Sequence, residues 1–260
     1  MVLADPFRVI AHRGASAYAP ENTMAAFELA VELGVHEIET DVKFTKDGKL
    51  ILFHDDTLNR TTNGSGRPSE FTLEELKRLD AGSWLEPDAY PDFRWKRDYT
   101  GEKLITLDEL FQIFGDDLIY HIEIKEESDT IIPVVIDCVR RFRLVEHVFI
   151  AIIDRESYLR EAKRLEPGIR TELAPNKQMR EIGASKAIEY VAQSGHDIVT
   201  LSSWNHSRDL VRQAHQLGIE ARSSGIKNRE QMIEAVEVGC NGMTINWPDW
   251  LLNYIARKET

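Results

Sequence analysis

The sequence predicts an α/β fold, a (β/α)8 TIM barrel formed by residues 1–260 as a single domain. Strand-like segments alternate with helical segments whose apolar residues recur about every 3.6 positions, an order typical of a parallel sheet covered by helices. The eight strand candidates and their crossovers occupy most of the chain, and one closed barrel needs roughly 250 residues. The third observation is an insertion after the second strand. Loops at one end of a barrel usually carry such insertions, so this one is compatible with the fold.

Runs rich in Ile, Val, Leu and Phe predict the barrel strands. They lie at 7–12, 36–42, 118–124, 147–153, 169–174, 197–202, 219–224 and 242–246. The helices between and after them are predicted at 22–33, 106–115, 129–142, 155–165, 181–194, 206–217, 228–238 and 248–257. In the first helix, Asn22 or Thr23 is suited to cap the start and Gly34 to end it.

One segment departs from the alternation of strands and helices. Residues 45–48, Thr-Lys-Asp-Gly, have the sequence of a hairpin turn, and the apolar run 49–54 follows too soon for a helical crossover. We therefore expect this run to return antiparallel to the second strand and to bring His54 back beside it. Residues 57–102 then form an insertion that caps the C-terminal face, with one short helix near 72–79. Five aromatic residues are expected to form a small core within it, and one or two of them to face substrate: Trp84, Tyr90, Phe93, Trp95 and Tyr99.

Composition excludes several classes of function. The net charge of −12 would repel a phosphate backbone, so we expect no nucleic-acid partner. No stretch approaches the ~20 apolar residues of a spanning helix, so we expect no stable membrane insertion. Cys138 and Cys240 lack metal-ligand spacing and are expected to be buried thiols. The first strand begins too early for a cleavable leader, so we expect a cytoplasmic protein. The sequence leaves the oligomeric state open.

Three carboxylates are expected to meet at the C-terminal ends of two neighbouring strands. Side chains alternate along a strand, so Glu39 and Asp41 share the inward face of the second strand, and Glu123 shares the inward face of the third with Lys125. Three carboxylates in one small space repel each other unless a cation compensates them. An all-carboxylate set favours a hard divalent cation, Mg²⁺ or Ca²⁺.

Two histidines and two fixed cations are expected on the same rim. His12 ends the first strand, and His54 arrives on the returning hairpin. Two imidazoles can divide the work of acid and base near neutral pH. Arg13 and Lys125 are suited to bind phosphate oxygens. Their charges and that of a divalent cation outweigh the three carboxylates and leave the site with a net positive charge, which a phosphodiester monoanion would cancel.

A second pair is expected one layer deeper in the barrel. Glu37 and His121 lie below the carboxylates on the same two strands. We predict that Glu37 faces His121 as a structural partner rather than as a fourth metal ligand.

At this point the sequence resembles the glycerophosphodiester phosphodiesterase family. The resemblance is strongest in the first half of the chain and weaker beyond it. Its motifs are, in order, His12-Arg13-Gly14, Pro20-Glu21-Asn22-Thr23, Glu39-x-Asp41-Val42, Thr45-Lys46-Asp47-Gly48, His54-Asp55, Arg60-Thr61-Thr62-x-Gly64 and Glu123-x-Lys125. Two weaker matches are Ala81-Gly82-Ser83-Trp84 and Gly242-Met243-Thr244-Ile245-Asn246-x-Pro248.

The resemblance implies a metal-dependent barrel that cleaves glycerophosphodiesters to glycerol 3-phosphate and an alcohol. Carried over residue by residue, it implies that three residues hold Mg²⁺ or Ca²⁺: Glu39, Asp41 and Glu123. It further implies that His12 and His54 are the acid/base pair and that Arg13 and Lys125 bind phosphate. In the implied mechanism the glycerol 2-hydroxyl or a water attacks phosphorus, one histidine takes its proton, and the other protonates the leaving alcohol.

Two stretches depart from the family pattern, and three alternative functions stay open. Ile152-Ile153-Asp154 stands where the family usually has Ser-Phe-Asp, and Ser224-Gly225-Ile226-Lys227 stands where it commonly has a tryptophan in a Trp-Thr-Val-Asn stretch. We expect these residues to line the leaving-group side of the pocket, so the resemblance does not imply the substrate preference. The first alternative is a lysophospholipase-D-like barrel enzyme that releases a cyclic phosphate. The second is a catalytically silent barrel that binds phosphodiesters, against which the retention of both histidines counts. The third is a barrel enzyme of unrelated chemistry, such as an isomerase.

Overall fold

The predicted (β/α)8 barrel is confirmed by the computed structural model, which describes residues 7–85, 90–153, 155–175, 181–202 and 206–258. Eight parallel strands close on themselves, because β1 pairs with both β2 and β9, and β3 is added outside the barrel on β2. The strands are β1 (Arg8–His12), β2 (Glu37–Phe44), β3 (Leu50–Leu52), β4 (Ile119–Ile124), β5 (Val148–Ile152), β6 (Arg170–Leu173), β7 (Ile198–Ser202), β8 (Glu220–Ser224) and β9 (Gly242–Ile245).

Helices cover the outside of the barrel close to the predicted positions. They are α1 (Met24–Glu32), α2 (Leu73–Leu76), α3 (Leu107–Phe114), α4 (Ile131–Phe142), α5 (Glu156–Leu165), α6 (Ala184–Gln193), α7 (Arg208–Gln216), α8 (Arg229–Glu237) and α9 (Pro248–Lys258). Among the described residues, none of the helices has the length and apolar composition that crossing a membrane requires. Cys138 and Cys240 are free and buried, as predicted.

The start of α1 differs from its prediction. Thr23 occupies the cap position, but its side chain makes no capping hydrogen bond. Its hydroxyl donates to the carbonyl of Pro20 instead, and the amide of Asn22 donates to Asp41. The expected capping is therefore wrong because both side chains serve the loop and the barrel end rather than the helix.

The hairpin after β2 is confirmed. Val42, Lys43 and Phe44 pair antiparallel with Leu52, Ile51 and Leu50. Just beyond β3, the amide of Phe53 donates to the carbonyl of Asp41 at 2.9 Å. The next residue, His54, is thereby held beside the strand that carries Glu39 and Asp41.

The insertion contributes to two clusters, and neither is the isolated aromatic core that the sequence predicts. One cluster is mainly aliphatic and joins the insertion to the hairpin; its buried members are Ile51, Phe53, Leu58, Leu76, Ala81 and Leu104. The predicted aromatic residues do contact one another edge to face: Trp84 lies 5.6 Å from Tyr90 and 5.2 Å from Trp95 between ring centroids. Phe93 extends this cluster onto Trp247 at the start of α9, so the aromatic rings join the insertion to the barrel instead of forming an isolated core.

The barrel interior below the rim is charged rather than filled with the branched apolar side chains usual in this fold. Arg222 is buried and donates through Nη1 to Glu172 Oε2 at 2.8 Å and to His121 Nδ1 at 2.6 Å. His121 in turn donates from Nε2 to Glu37 at 3.0 Å, so the predicted pairing of these two residues is confirmed. Arg8 holds Glu37 from the other side at 3.1 Å. The layer that carries Glu39, Asp41 and Glu123 therefore rests on a polar network.

Gly14 allows the chain to turn sharply after His12. Its φ is +82°, and a Cβ atom there would lie 2.6 Å from the carbonyl carbon of Ala26. We expect Gly14→Ala to lower the free energy of unfolding by about 3 kcal/mol, because left-handed strain and a backbone clash add together. The matched control is Gly218→Ala, at φ +77° with no atom within 4 Å, where only the strain of roughly 1 kcal/mol applies. Urea unfolding measures both changes, and equal losses would contradict the close approach.

Candidate active site

The three predicted carboxylates meet at the C-terminal end of the barrel. Glu39 and Asp41 alternate along β2, and the parallel register sets Asp41 beside Glu123 of β4. One oxygen of each residue lies within 4.8 Å of the others. Asp41 is fully buried and Glu39 nearly so. The expected convergence of these side chains is therefore confirmed as geometry.

The charges in this cluster are strongly coupled. Burial, followed by the nearby Asp41 carboxylate, raises the pKa of Glu39 well above its usual value. Burial also raises the pKa of Glu123. For Asp41, burial acts in the same direction, but the charges of Arg13 and Lys125 outweigh it and leave the pKa below the usual value. Asp41 therefore favours the ionised form more strongly than Glu39 or Glu123 does.

Two carboxylate oxygens in the cluster have no hydrogen-bond partner. They are Oε1 of Glu39 and Oδ1 of Asp41, and both are buried. A buried polar atom without a partner is costly unless a ligand satisfies it. Oxygen ligands on one hard divalent cation lie up to roughly 5 Å apart, which matches the spacing of this set. The residues present therefore fit a divalent cation held by carboxylate oxygens.

Arg13 and Lys125 lie against the carboxylates. Arg13 Nε is 3.0 Å from Asp41 Oδ2, and Nη1 donates to Glu21 at 2.7 Å. Lys125 Nζ lies 3.5 Å from the other oxygen of Asp41 and donates to Glu123. Arg13 also has a left-handed φ of 56°, which lets its backbone amide reach the Glu39 side chain at 3.1 Å. Strain of this kind persists where the surroundings impose it, often at functional sites.

His12 lies at the end of β1, directly beside Glu39. Its Nε2 is 3.8 Å from Glu39 Oε2, and its Nδ1 donates to Asn246 Oδ1 at 2.6 Å. The amide oxygen only accepts, so Nδ1 carries the proton and Nε2 keeps a free lone pair. Burial, and then the charge of Arg13, lower the pKa of His12 to about 4. The side chain is still one-third exposed, so it can meet a ligand.

His54 faces the same space from the hairpin. Its Nδ1 donates to Asp55 Oδ1 at 2.7 Å, which again leaves Nε2 as the free nitrogen. Burial lowers the pKa of His54, although the Asp41 carboxylate acts in the opposite direction. His12 thus has a neutral amide partner, whereas His54 has a charged one.

A cavity of 270 Å³ opens above these residues. Both histidines, Glu39, Glu123, Arg13 and Lys125 line one side of it. The opposite side carries the stretches that depart from the family pattern, together with small apolar and polar residues: Ala151, Ile152, Ile153, Ala174, Ser224, Gly225 and Thr244. The sequence expectation that Ile152, Ile153, Ser224 and Gly225 line the pocket is confirmed, whereas Asp154 lies outside the described residues.

Several residues that shape the site were not identified from the sequence alone. Asn22 links Thr40 to Asp41, Asn246 orients His12, and Asp55 orients His54. Asn22, Asp55 and Asn246 all lie inside motifs that the family resemblance contains. Their place in these motifs indicated that they belong to the site, but the motifs alone do not tell which side chain each residue contacts.

Comparison with known proteins agrees with the geometry. A model described as the glycerophosphoryl diester phosphodiesterase family matches residues 12–250. A glycerophosphodiester phosphodiesterase from Caldanaerobacter subterraneus is 34% identical over 254 residues, covering 96% of this chain and 98% of its own. Another from Bacillus subtilis is 35% identical over 262 residues, covering 95% and 86% respectively.

Solved structures of similar proteins have the same fold. A putative glycerophosphoryl diester phosphodiesterase from Silicibacter pomeroyi superimposes with a TM-score of 0.88 at 24% identity, covering 97% of this chain and 94% of its own. A phosphodiesterase from Oleispira antarctica, solved with its product sn-glycerol-3-phosphate, gives a TM-score of 0.78 at 25% identity and covers 96% of each chain. The chain therefore belongs to the glycerophosphoryl diester phosphodiesterase family and is a phosphodiesterase of that family.

Proposed function

We propose that this chain, acting as one domain with residues 57–102 as its cap, hydrolyses glycerophosphodiesters to glycerol 3-phosphate and an alcohol with a divalent cation and two catalytic histidines. One observation carries the proposal: three carboxylates converge, and two of them, Glu39 and Glu123, line the same cavity as the imidazoles of His12 and His54. The product bound in the Oleispira antarctica enzyme supports the same substrate class, a small-molecule phosphodiester.

In this proposal Glu39, Asp41 and Glu123 hold Mg²⁺ or Ca²⁺, with waters completing the shell. Oε1 of Glu39 and Oδ1 of Asp41 accept no hydrogen bond, although Lys125 Nζ lies 3.5 Å from the latter, and this supports the assignment. When bound, such a cation supplies positive charge that stabilises the phosphoryl oxygens as negative charge develops on them. Asn22 contributes by donating to Asp41 Oδ2 at 2.9 Å, which leaves Oδ1 directed at the shared space.

Arg13 and Lys125 are proposed to bind the non-bridging phosphate oxygens. Both side chains line the cavity that the substrate is proposed to occupy. The Arg13 guanidinium is already fixed by Glu21 and by the Asp41 carboxylate, which reduces the entropy lost when phosphate binds. Their positive charge compensates locally for the acidity of the chain as a whole.

His12 and His54 are proposed to move the two protons of the reaction. One imidazole, unprotonated at Nε2, takes the proton from the attacking glycerol 2-hydroxyl or water, and the other, protonated at Nε2, gives its proton to the oxygen of the leaving alcohol. Where the 2-hydroxyl attacks, it first forms a cyclic phosphate, which water then opens to glycerol 3-phosphate with the two roles exchanged. Both Nδ1 atoms are engaged, so each ring is oriented with its Nε2 available.

We also propose a cytoplasmic location, which the two free, buried thiols support.

The test is a panel of glycerophosphodiesters assayed with Mg²⁺, with Ca²⁺ and with a chelator. We expect glycerol 3-phosphate as the product, activity in the presence of one of the two cations, and loss of activity in chelator that the cation restores. ³¹P NMR of the products separates this reaction from release of a cyclic phosphate, which would favour the lysophospholipase-D-like alternative. Inertness toward every diester with metal present would contradict the proposal and revive a silent binding barrel or an unrelated barrel enzyme.

A further inference from the structure

We propose that Arg60 is a positioning residue that fixes His54 and Arg13 as one rigid unit. The inference rests on the proposed function, because it assigns a role to a residue that acts through two proposed members of the site. Arg60 lies at the start of the insertion, in a motif that the proposed chemistry leaves without a role. It contacts Asp55 and Glu21, the residues that hold His54 and Arg13.

Toward His54, the contact runs through Asp55. Arg60 Nε donates to Asp55 Oδ2 at 2.7 Å and Nη2 donates to Oδ1 at 2.8 Å, so the carboxylate is held by two parallel bonds. Asp55 Oδ1 also accepts the Nδ1 proton of His54 at 2.7 Å. With the carboxylate plane fixed by Arg60, the imidazole ring has one favoured orientation and one tautomer, with Nε2 facing the cavity.

Toward Arg13, the contact runs through Glu21. Arg60 Nη1 donates to Glu21 Oε2 at 2.8 Å and Nη2 donates to Oε1 at 2.7 Å. The same Oε1 accepts from Arg13 Nη1 at 2.7 Å. Glu21 is almost completely buried, so water contributes little to orienting its carboxylate. Arg60 thus sets the direction in which Glu21 holds the guanidinium of Arg13.

The arginine fork is fully used in this arrangement. A guanidinium has five N–H donors in one plane, and Arg60 makes five hydrogen bonds, the fifth from Nη1 to the Tyr90 hydroxyl at 3.2 Å. A lysine at this position would supply one point charge and could not hold two carboxylates in a common plane. The geometry therefore requires the shape of arginine and not only its charge.

Charge balance strengthens the unit. Asp55 and Glu21 are matched by Arg60 and Arg13, so two carboxylates and two guanidiniums alternate. Hydrogen bonding to Arg60 holds the pKa of Asp55 below its usual value. Burial acts to raise the pKa of Glu21, but its bonds to Arg60 and the charges of both arginines leave that pKa lowered. Both carboxylates therefore act as acceptors only, as the positioning role requires.

The test compares Arg60→Lys and Arg60→Gln with wild type. The matched control is Arg78→Gln, which removes an exposed arginine of the same insertion whose side chain pairs only with Glu74 among the described residues. We expect both Arg60 variants to lower kcat by about 10- to 100-fold, because a displaced ring misplaces a proton transfer, and to raise KM by a smaller factor, because Arg13 is held less firmly, while the affinity for Ca²⁺ changes little. Full activity in Arg60→Lys would overturn the inference, since a charge alone would then suffice.

A second readout tests the positioning directly. In protein labelled with ¹⁵N-histidine, the Nδ1–H signal of His54, assigned by its absence in His54→Gln, should shift or broaden in Arg60→Lys and stay unchanged in Arg78→Gln. An unchanged signal together with unchanged kcat would overturn the inference, and a loss of kcat that merely follows a loss of folded protein would assign Arg60 to stability instead. If wild type cleaves no glycerophosphodiester, the proposed function fails, whereas the His54 signal still decides the role of Arg60.

Discussion

We expect His12→Ala to lower the turnover number by at least about 100-fold in folded protein, because the proposed function makes His12 a general acid or base. His12 combines the features that this role needs: a ring fixed through Nδ1 by Asn246, a free Nε2, and a side chain open to the cavity. The measurement is steady-state hydrolysis of a glycerophosphodiester with saturating metal. Circular dichroism and the unfolding midpoint establish that the variant is folded.

The control for this prediction is His36→Ala. His36 is exposed and precedes β2, at the opposite end of the barrel from His12. Its removal should leave the turnover number within about twofold of wild type, because an exposed substitution away from the site has small effects. An unchanged rate in His12→Ala would exclude the acid/base role and leave only His54 available for it.

The leaving group distinguishes the two histidines. A p-nitrophenolate leaves without being protonated, so the variant that lacks the general acid should lose much less activity on a p-nitrophenyl ester than on a glycerophosphodiester of an aliphatic alcohol. The variant that lacks the general base should lose activity equally on both. Comparing His12→Ala with His54→Ala on the two substrates therefore assigns one role to each residue, and equal losses in both variants would contradict a division of labour.

The parts of the site that follow local rules could be predicted from the sequence. Alternation along β2 places Glu39 and Asp41 on one face, and the short turn before β3 forces an antiparallel return that carries His54. These consequences need only the period of a strand and the length of a loop. The same reasoning predicted the Glu37–His121 pair, because both residues lie one layer deeper on paired strands.

Contacts that depend on packing between distant segments could not be predicted in this way. Asn246 lies 234 positions from His12, and only closure of the barrel between β9 and β1 brings them together. Arg222 contacts His121 across the barrel interior, at a separation of 101 positions. Asn22 shows the converse failure: its local preference is for a helix cap, but the buried carboxylate of Asp41 provides a stronger partner.

Glu39→Gln should abolish the stabilisation of the folded state by metal, while the metal-free protein should still fold. If the proposed cation binds the wild-type protein, at 100 times its dissociation constant it should stabilise the folded state by about 2.7 kcal/mol. For a chain of this size that corresponds to a rise of roughly 5 to 10 °C in the unfolding midpoint. The substitution exchanges the Glu39 carboxylate for a neutral amide and so removes one anionic ligand. We therefore expect the rise to disappear and the turnover number to fall by at least about 100-fold.

The metal-free stability makes this prediction sharper. Glu39 is buried beside Asp41 and Glu123, and repulsion among these carboxylates opposes the fold when no cation is bound. The neutral amide relieves that repulsion, so without metal the variant should unfold at the same temperature as wild type or above it. Glu28→Gln, an exposed acid on α1, is the matched control and should retain both the metal-induced rise and the activity. A Glu39→Gln protein that keeps its stabilisation by Mg²⁺ and Ca²⁺ would show that the cation binds elsewhere, because charge relief alone cannot reproduce a dependence on metal concentration.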